Sequence, residues 1–174
     1  MRKKMKNKIT IIGCGNIGNA IAQGLVKSKK YVPENIILTR RSAKHLHEFQ
    51  EQGFTVSTDN CTAVTRSEIV ILAITPSQIV NVLKEINSSL SSKQLLISVV
   101  SGVSINEMKQ HLNSEMGIVR AMPNTAATLC ESITCLATEN ENNSKLQSAE
   151  KLFNHIGQTL KIDESQMASA TALG

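Results

Sequence analysis

The sequence predicts an α/β fold, a doubly wound and mainly parallel sheet with helices packed on both faces. Short aliphatic runs alternate along the chain with segments of helical periodicity, which is the pattern of such sheets. Residues 68–74 form an almost unbroken aliphatic run, as expected of a central strand buried on both sides. A glycine-rich turn, Gly13–Gly18, joins the first aliphatic run to a helical segment. This order of strand, turn and helix is typical of a Rossmann-type sheet.

The strands are expected where short runs of β-branched and aliphatic residues are bounded by turn residues. In chain order they are 8–12, 35–39, 54–56, 68–74, 95–100, 117–121, 132–137 and 158–162. Helices are expected between them because apolar residues recur at helical spacing and because Ser42, Pro76 and Ser104 are typical of helix starts. These helices are 19–26, 42–52, 76–86, 104–111 and 144–155, with a further helix start at 163–173.

Composition and charge exclude several classes of function. The hydrophobic content of 41% is ordinary for a globular protein, and the aromatic content of 2% implies an aliphatic core. Basic residues in the tail 1–8 account for the net charge of +5, so the rest of the chain has no preference for nucleic acid or a membrane surface. The four cysteines and four histidines lack metal-ligand spacing, so we expect free thiols in the cytoplasm and no metal site.

The glycine turn predicts dinucleotide binding. Gly13 permits a sharp turn, Gly15 lets a pyrophosphate approach the backbone, and Gly18 lets the helix pack closely on the strand. Asn16 and Ile17 lie at the helix start, where free N–H groups and the helix dipole favour phosphate. The alternative is a plain turn from strand to helix. Ligands of such sheets bind at the carboxyl ends of the strands, and these ends carry Gly13, Arg40, Asn60, Thr75, Ser101 and Met122.

The end of the second strand favours NADP(H), with NAD(H) as the alternative. Sites that prefer NAD place a carboxylate here, whereas this chain reads Thr39, Arg40, Arg41 and Ser42. Two guanidinium groups and a hydroxyl suit a ribose 2′-phosphate. The other interpretation is a pair of solvated arginines at a helix start. Positive charge is unfavourable there, which favours the functional interpretation.

Several motifs in order resemble those of the pyrroline-5-carboxylate reductase family, and together they span nearly the whole chain. The fourth strand runs into Thr75 and Pro76, the fifth into 101–105 (SGVSI), and 120–125 read RAMPNT. The last motif is the most distinctive and is followed by 131–134 (ESIT), similar to the family's E-G-x-T. Thr75 stands where the family usually has lysine, and Ala126 where it often has proline.

The resemblance implies NADPH-dependent reduction of 1-pyrroline-5-carboxylate, a cyclic imino acid, to proline, the last step of proline biosynthesis. It places Met122, Pro123 and Asn124 at the nicotinamide end of the cofactor, and Ala73, Ile74, Thr75 and Pro76 along its middle. Asn60 resembles a residue that faces the adenine-side ribose, although it could instead cap the following helix. Asn124 could likewise only cap a turn.

The resemblance also implies a catalytic residue and a domain division. Thr171 is similar to the family's threonine that hydrogen-bonds the substrate nitrogen, although it could be an ordinary helix residue. We expect a basic tail at 1–8, a dinucleotide-binding domain at 9–162, and at 163–174 the start of a helical second domain that mediates homo-oligomerisation. We expect this chain alone to have little or no activity, and an exposed apolar surface at 163–174. The alternatives are a non-catalytic NADP-binding module and another two-domain NADP-dependent dehydrogenase.

Overall fold

Eight strands form one sheet in the computed structural model, which describes residues 7–42, 46–113, 116–139 and 144–173, with side chains as far as residue 170. Residues 1–6 of the predicted tail lie outside the described ranges. The strands are β1 (Ile9–Ile12), β2 (Ile36–Thr39), β3 (Thr55–Ser57), β4 (Ile69–Leu72), β5 (Leu95–Ser98), β6 (Ile118–Met122), β7 (Ser132–Ala137) and β8 (Gly157–Lys161).

The strand order is β3-β2-β1-β4-β5-β6-β7-β8. All neighbouring pairs are parallel except β6 and β7, which are antiparallel. The predicted fold class, a Rossmann-type and mainly parallel sheet, is therefore confirmed. The order reverses at β1, where Ile12 pairs with both Thr39 and Leu72, so the ends of three strands are level. A ligand crevice is expected at such a switch point.

Seven α-helices are described: α1 (Asn16–Lys27), α2 (His47–Glu51), α3 (Asn60–Thr65), α4 (Ile79–Ile86), α5 (Ile105–Lys109), α6 (Ser144–Phe153) and α7 (Met167–Leu173). They form two layers, because successive side chains of a buried strand point to opposite faces. Ile11 lies in the core beneath α1, α2 and α6, whereas Ile12 lies in the core beneath α3, α4 and α5. None of the helices in the described ranges could span a lipid bilayer.

The starts of the helices correct several predictions. The helix expected from Ser42 begins at His47, and residues 43–45 lie outside the described ranges. Pro76 begins a 3₁₀ turn, and α4 follows it from Ile79. Ser104 caps α5 as predicted, because its hydroxyl accepts from the Glu107 N–H at 3.2 Å. Hydrogen bonds from Ser104 in turn hold the pKa of the Glu107 carboxyl below its usual value.

A buried arginine connects three distant segments. Arg120 of β6 is 7% exposed, and its Nη1 donates to Glu164 Oε1 at 3.2 Å. The Ile105 N–H at the start of α5 donates to the same oxygen at 2.7 Å. Glu164 begins a 3₁₀ turn that leads into α7. The Glu164 carboxylate therefore compensates the buried charge of Arg120 and caps the start of α5.

The exposed apolar surface expected at 163–174 is not found in the described part of that segment. Met167 is 1% exposed there. The exposed large apolar side chains of the described residues are Leu129, Ile133 and Leu160. In that part the prediction is not met, because Met167 packs into the protein. The side chains of 171–174 lie outside the described ranges, so for them the apolar surface stays a prediction.

Candidate functional site

A cleft of about 720 Å³ opens at the carboxyl ends of β1, β2 and β4. Most of the predicted cofactor residues line it: Gly13, Gly15, Asn16, Ile17, Thr39, Arg40, Arg41, Ser42, Asn60, Ala73, Ile74 and Thr75. It is also lined by residues that the sequence analysis did not single out: Ile12, Cys14, Gln78 and Val82. We call this set of residues the cleft region.

Each glycine of the turn has a different steric environment. Gly13 has a φ of +98°, and a Cβ there would lie 2.3 Å from the Ala73 carbonyl oxygen. Gly18 does not line the cleft, and a Cβ there would lie 2.0 Å from the Gly13 carbonyl oxygen. A Cβ on Gly15 would meet no described atom within 4 Å. The geometry supports the three predicted roles of a turn, a close packing contact and an open approach for a ligand.

The start of α1 suits an anion. Gly15 is the N-cap residue of α1, and this fully described helix has no side-chain cap and no acidic residue in its first turn. The N–H groups of the first turn have no partner within the helix and carry the positive end of its dipole. The open backbone at Gly15 and these amides fit the diphosphate of a dinucleotide.

The end of β2 presents two unneutralised cations. Arg40 and Arg41 are exposed, line the cleft, and are in no ion pair with a described residue. Ser42 is exposed beside them. The Arg40 N–H donates to the Ser57 carbonyl at 3.3 Å, which fixes this backbone against β3. The groups fit a ribose 2′-phosphate.

Below the arginines, Thr39 and Asn60 are hydrogen-bonded. The Thr39 hydroxyl donates to Asn60 Oδ1 at 2.6 Å, and Asn60 Nδ2 donates to both carboxylate oxygens of Glu85 at 3.2 Å. The cap of α3 is Asp59, whose carboxylate accepts from the Thr62 N–H at 3.2 Å. The alternative that Asn60 caps this helix is therefore wrong.

Cys14 lies in the wall of the cleft and is 5% exposed. Its thiol donates to the Thr39 carbonyl at 3.4 Å. Burial raises the pKa of Cys14 to about 12, and the charge of Arg40 lowers that pKa by a smaller amount. Because the thiolate is the reactive form of cysteine, Cys14 has a packing role rather than a nucleophilic one.

The β4 end forms the opposite wall. Thr75 is exposed, and its N–H donates to Gln78 Oε1 at 3.2 Å. Pro76 begins the 3₁₀ turn and does not line the cleft. Gln78 and Val82 line it because this turn and α4 follow directly from the strand end. Their only signal in the sequence was their place in the helical segment after the fourth strand.

Met122, Pro123 and Asn124 do not line the cleft, and we call 122–124 with Ser132 the Met-Pro-Asn region. The Asn124 N–H donates to the Ser132 hydroxyl at 3.3 Å. Asn124 is the N-cap residue of the following 3₁₀ turn, but its side chain makes no capping bond. Its Oδ1 atom is buried and has no partner among the described residues, which leaves it as an acceptor.

Thr171 lies in α7, and its side chain lies outside the described part of the chain. Its catalytic role therefore stays a prediction. Among the described residues, no group of three or more His, Cys, Asp or Glu side chains could hold a metal ion.

The sheet order, the glycine turn and the cleft at the switch point define the class of Rossmann-type dinucleotide-binding domains. The family described as "NADP oxidoreductase coenzyme F420-dependent" matches residues 8–102, more than half of the chain. The chain belongs to this family.

Individual relatives show more specifically which proteins the chain resembles. Pyrroline-5-carboxylate reductase 1 of Dictyostelium discoideum is 39% identical over 183 residues, which cover 98% of this chain and 33% of that protein. Pyrroline-5-carboxylate reductase 2 of the same organism is 37% identical, with 98% and 62% covered. The chain thus spans less than two thirds of these relatives. The resemblance that the motifs indicated is confirmed.

A solved structure agrees with this assignment. The pyrroline carboxylate reductase of Plasmodium falciparum, crystallised with NADP bound, superposes with a TM-score of 0.87 at 27% identity. The match covers 98% of this chain and 63% of that chain.

Proposed function

We propose that this chain is the cofactor domain of an NADPH-dependent reductase that converts 1-pyrroline-5-carboxylate to proline. The observation that carries the proposal is the cleft itself, in which the open backbone of Gly15 faces the same space as two arginines that form no ion pair with a described residue. The similarity to pyrroline-5-carboxylate reductases over 98% of the chain supports the substrate.

In this proposal the chain binds its cofactor along the cleft. The amides at the start of α1 bind the diphosphate, and Arg40, Arg41 and Ser42 bind the 2′-phosphate. Residues 73–75 of the cleft lie along the middle of the cofactor, and residues 122–124, which lie outside the cleft, position its nicotinamide end. The unpaired Asn124 Oδ1 is the acceptor in that region.

When bound, the reduced nicotinamide would supply a hydride to the carbon of the C=N bond, and with one proton on the nitrogen the bond becomes CH–NH. The role of the protein is to bring the two reacting carbons within about 3–3.5 Å and to hold the imine nitrogen by a hydrogen bond. We assign that hydrogen bond to Thr171.

We further propose that the dinucleotide-binding domain spans 9–162 and that the segment from 163 begins a second domain. The last strand of the sheet, β8, ends at Lys161, which supports this boundary. By likeness to the reductases we propose a homo-oligomer that acts on a small molecule. The cysteines of the described residues are free thiols, which supports a cytoplasmic location.

The cofactor preference is tested by titrating the chain with NADPH and NADH. Because the chain contains no tryptophan, the signal is the fluorescence of the reduced nicotinamide itself. We expect tighter binding of NADPH. The double variant Arg40→Ala with Arg41→Ala should weaken NADPH binding by about 2–4 kcal/mol, since two charge-assisted contacts are lost, and should leave NADH binding nearly unchanged. Arg66→Ala is the matched control, because Arg66 is exposed and lies just before β4, at the end of the strands opposite the cleft.

Equal affinities for NADPH and NADH would contradict the role of the arginines. The reaction itself is tested in the protein that contains this chain, by measuring proline formed from 1-pyrroline-5-carboxylate and NADPH. Tight NADPH binding without turnover would support the non-catalytic module instead.

A further inference from the structure

Glu85 lies beside the cleft without lining it. It occupies the last turn of α4, on the face that carries Gln78 and Val82 into the cleft, because residues three and four apart share one side of a helix. Its side chain is exposed to solvent. Its carboxylate nevertheless contacts a residue that lines the cleft.

That contact is with the amide of Asn60. Asn60 Nδ2 lies 3.2 Å from both oxygens of Glu85, and Asn60 Oδ1 accepts from the Thr39 hydroxyl at 2.6 Å. A threonine hydroxyl can donate or accept, so Thr39 alone would tolerate either orientation of the amide. A carboxylate only accepts, so Glu85 excludes the orientation in which Oδ1 would face it.

The frame around this amide is fixed by the backbone. The Thr39 carbonyl accepts from the Gly13 N–H at 3.1 Å, which ties it to the glycine turn. The Glu85 carbonyl accepts from the Cys61 thiol at 3.2 Å, which ties the end of α4 to α3. Both partners of the Asn60 side chain are therefore held in place before a ligand arrives.

We propose that Glu85 is a positioning residue of the dinucleotide site, an inference that rests on the proposed function. The two equal distances let one N–H of Nδ2 serve both carboxylate oxygens. The other N–H is then free to donate into the cleft, which Asn60 lines at the same end as the arginines. Its acceptor is an oxygen of the adenosine ribose or of the phosphate on it.

The test measures the affinity of the chain for NADPH, for adenosine 2′,5′-bisphosphate and for inorganic pyrophosphate in five variants: Glu85→Ala, Glu85→Gln, Asn60→Ala, the double variant Glu85→Ala with Asn60→Ala, and Glu34→Ala. Glu34 is the matched control, since it is exposed and lies just before β2, at the end of the strands opposite the cleft. We expect Glu85→Ala to weaken both adenosine ligands about three- to tenfold, the range for one hydrogen bond, and to leave pyrophosphate unchanged.

The double variant distinguishes an effect of Glu85 on the orientation of the Asn60 amide from a direct effect of the Glu85 charge. If Glu85 acts through Asn60, Glu85→Ala costs nothing further once Asn60 is alanine, because no amide is left to orient. Glu85→Gln keeps an acceptor and should recover part of the affinity. Melting temperatures should match that of Glu34→Ala.

Two results would overturn the inference while leaving the proposed function intact. One is unchanged affinity of Glu85→Ala for adenosine 2′,5′-bisphosphate. The other is a loss of affinity on Glu85→Ala that is equally large whether residue 60 is the native asparagine or has been replaced by alanine. Failure of the unaltered chain to bind NADPH would instead contradict the proposed function, so the two failures are distinct.

Discussion

The cleft region and the Met-Pro-Asn region both lie at carboxyl ends of strands, yet they present their polar groups in opposite ways. In the cleft region Gly15 and the two arginines face open space. In the Met-Pro-Asn region Pro123 and Ser132 are buried, and the free acceptor Asn124 Oδ1 is buried with them. In the cleft region the open backbone at Gly15 belongs to a local turn, whereas the Met-Pro-Asn region depends on contacts between β6 and β7. Binding and stability should therefore be separable in the cleft region, and a loss of stability in the Met-Pro-Asn region should leave binding of the adenosine end unchanged.

The largest effect is expected from Gly18→Ala. The new Cβ would meet the Gly13 carbonyl at 2.0 Å, so the turn or the helix must shift, at about 3 kcal/mol of unfolding free energy. Gly15→Ala is the matched variant, because no described atom lies within 4 Å of its Cβ. It should leave the unfolding free energy nearly unchanged and weaken NADPH binding more than about tenfold, since a methyl group blocks the approach of the diphosphate.

Urea unfolding and NADPH titration of both glycine variants check this separation. Equal destabilisation by the two alanines would show that the turn is not the open structure described above. Unimpaired NADPH binding by the Gly15 variant would show that the diphosphate lies elsewhere.

A smaller effect is expected in the other region from Ser132→Ala. Ser132 is 1% exposed, and its hydroxyl accepts from the Asn124 N–H at 3.3 Å. Leaving that N–H without an acceptor should cost about 2 kcal/mol of unfolding free energy. The affinity for adenosine 2′,5′-bisphosphate should stay the same, because the adenosine end lies in the cleft region. A large loss of that affinity would mean that the two regions are not independent.

The smallest effect at neutral pH concerns Cys14. Burial raises its pKa from 9.0 to about 12, so the folded chain keeps a proton that the unfolded chain releases. This contribution to stability is complete below pH 9 and is lost as the pH rises toward 12, by up to about 1.4 kcal/mol per pH unit. Burial also raises the pKa of Tyr31, from 10.0 to about 12, with the same sign.

Urea midpoints between pH 8 and pH 11 measure this loss. Cys14→Ser should flatten the decline that begins near pH 9, whereas Tyr31→Phe should affect only the part above pH 10. A decline that is unchanged in both variants would assign the alkaline sensitivity to other groups.

The local parts of the structure could be predicted from the sequence, and the parts that depend on packing could not. The glycine turn, the buried central strands and the Ser104 cap follow from patterns within a few residues. The switch point that places the cleft depends on the order of the strands in the sheet, which such patterns do not give. Gln78 and Val82 were missed because the lining of a cleft depends on how α4 packs across the sheet. Glu85 gave no signal, since its contact with Asn60 joins residues 25 apart in the sequence.

The carboxylate shared by Arg120 and Ile105 has a consequence for synthesis on the ribosome. Arg120 and Glu164 are separated by 44 residues, which take about 2–9 s to translate at the usual rate of about 5–20 residues per second. During that interval the guanidinium lacks its ion-pair partner Glu164, and burying it without that partner would cost several kcal/mol. We therefore expect the nascent chain to pair β1 to β5 first, and β6 to join the sheet only after the glutamate has emerged.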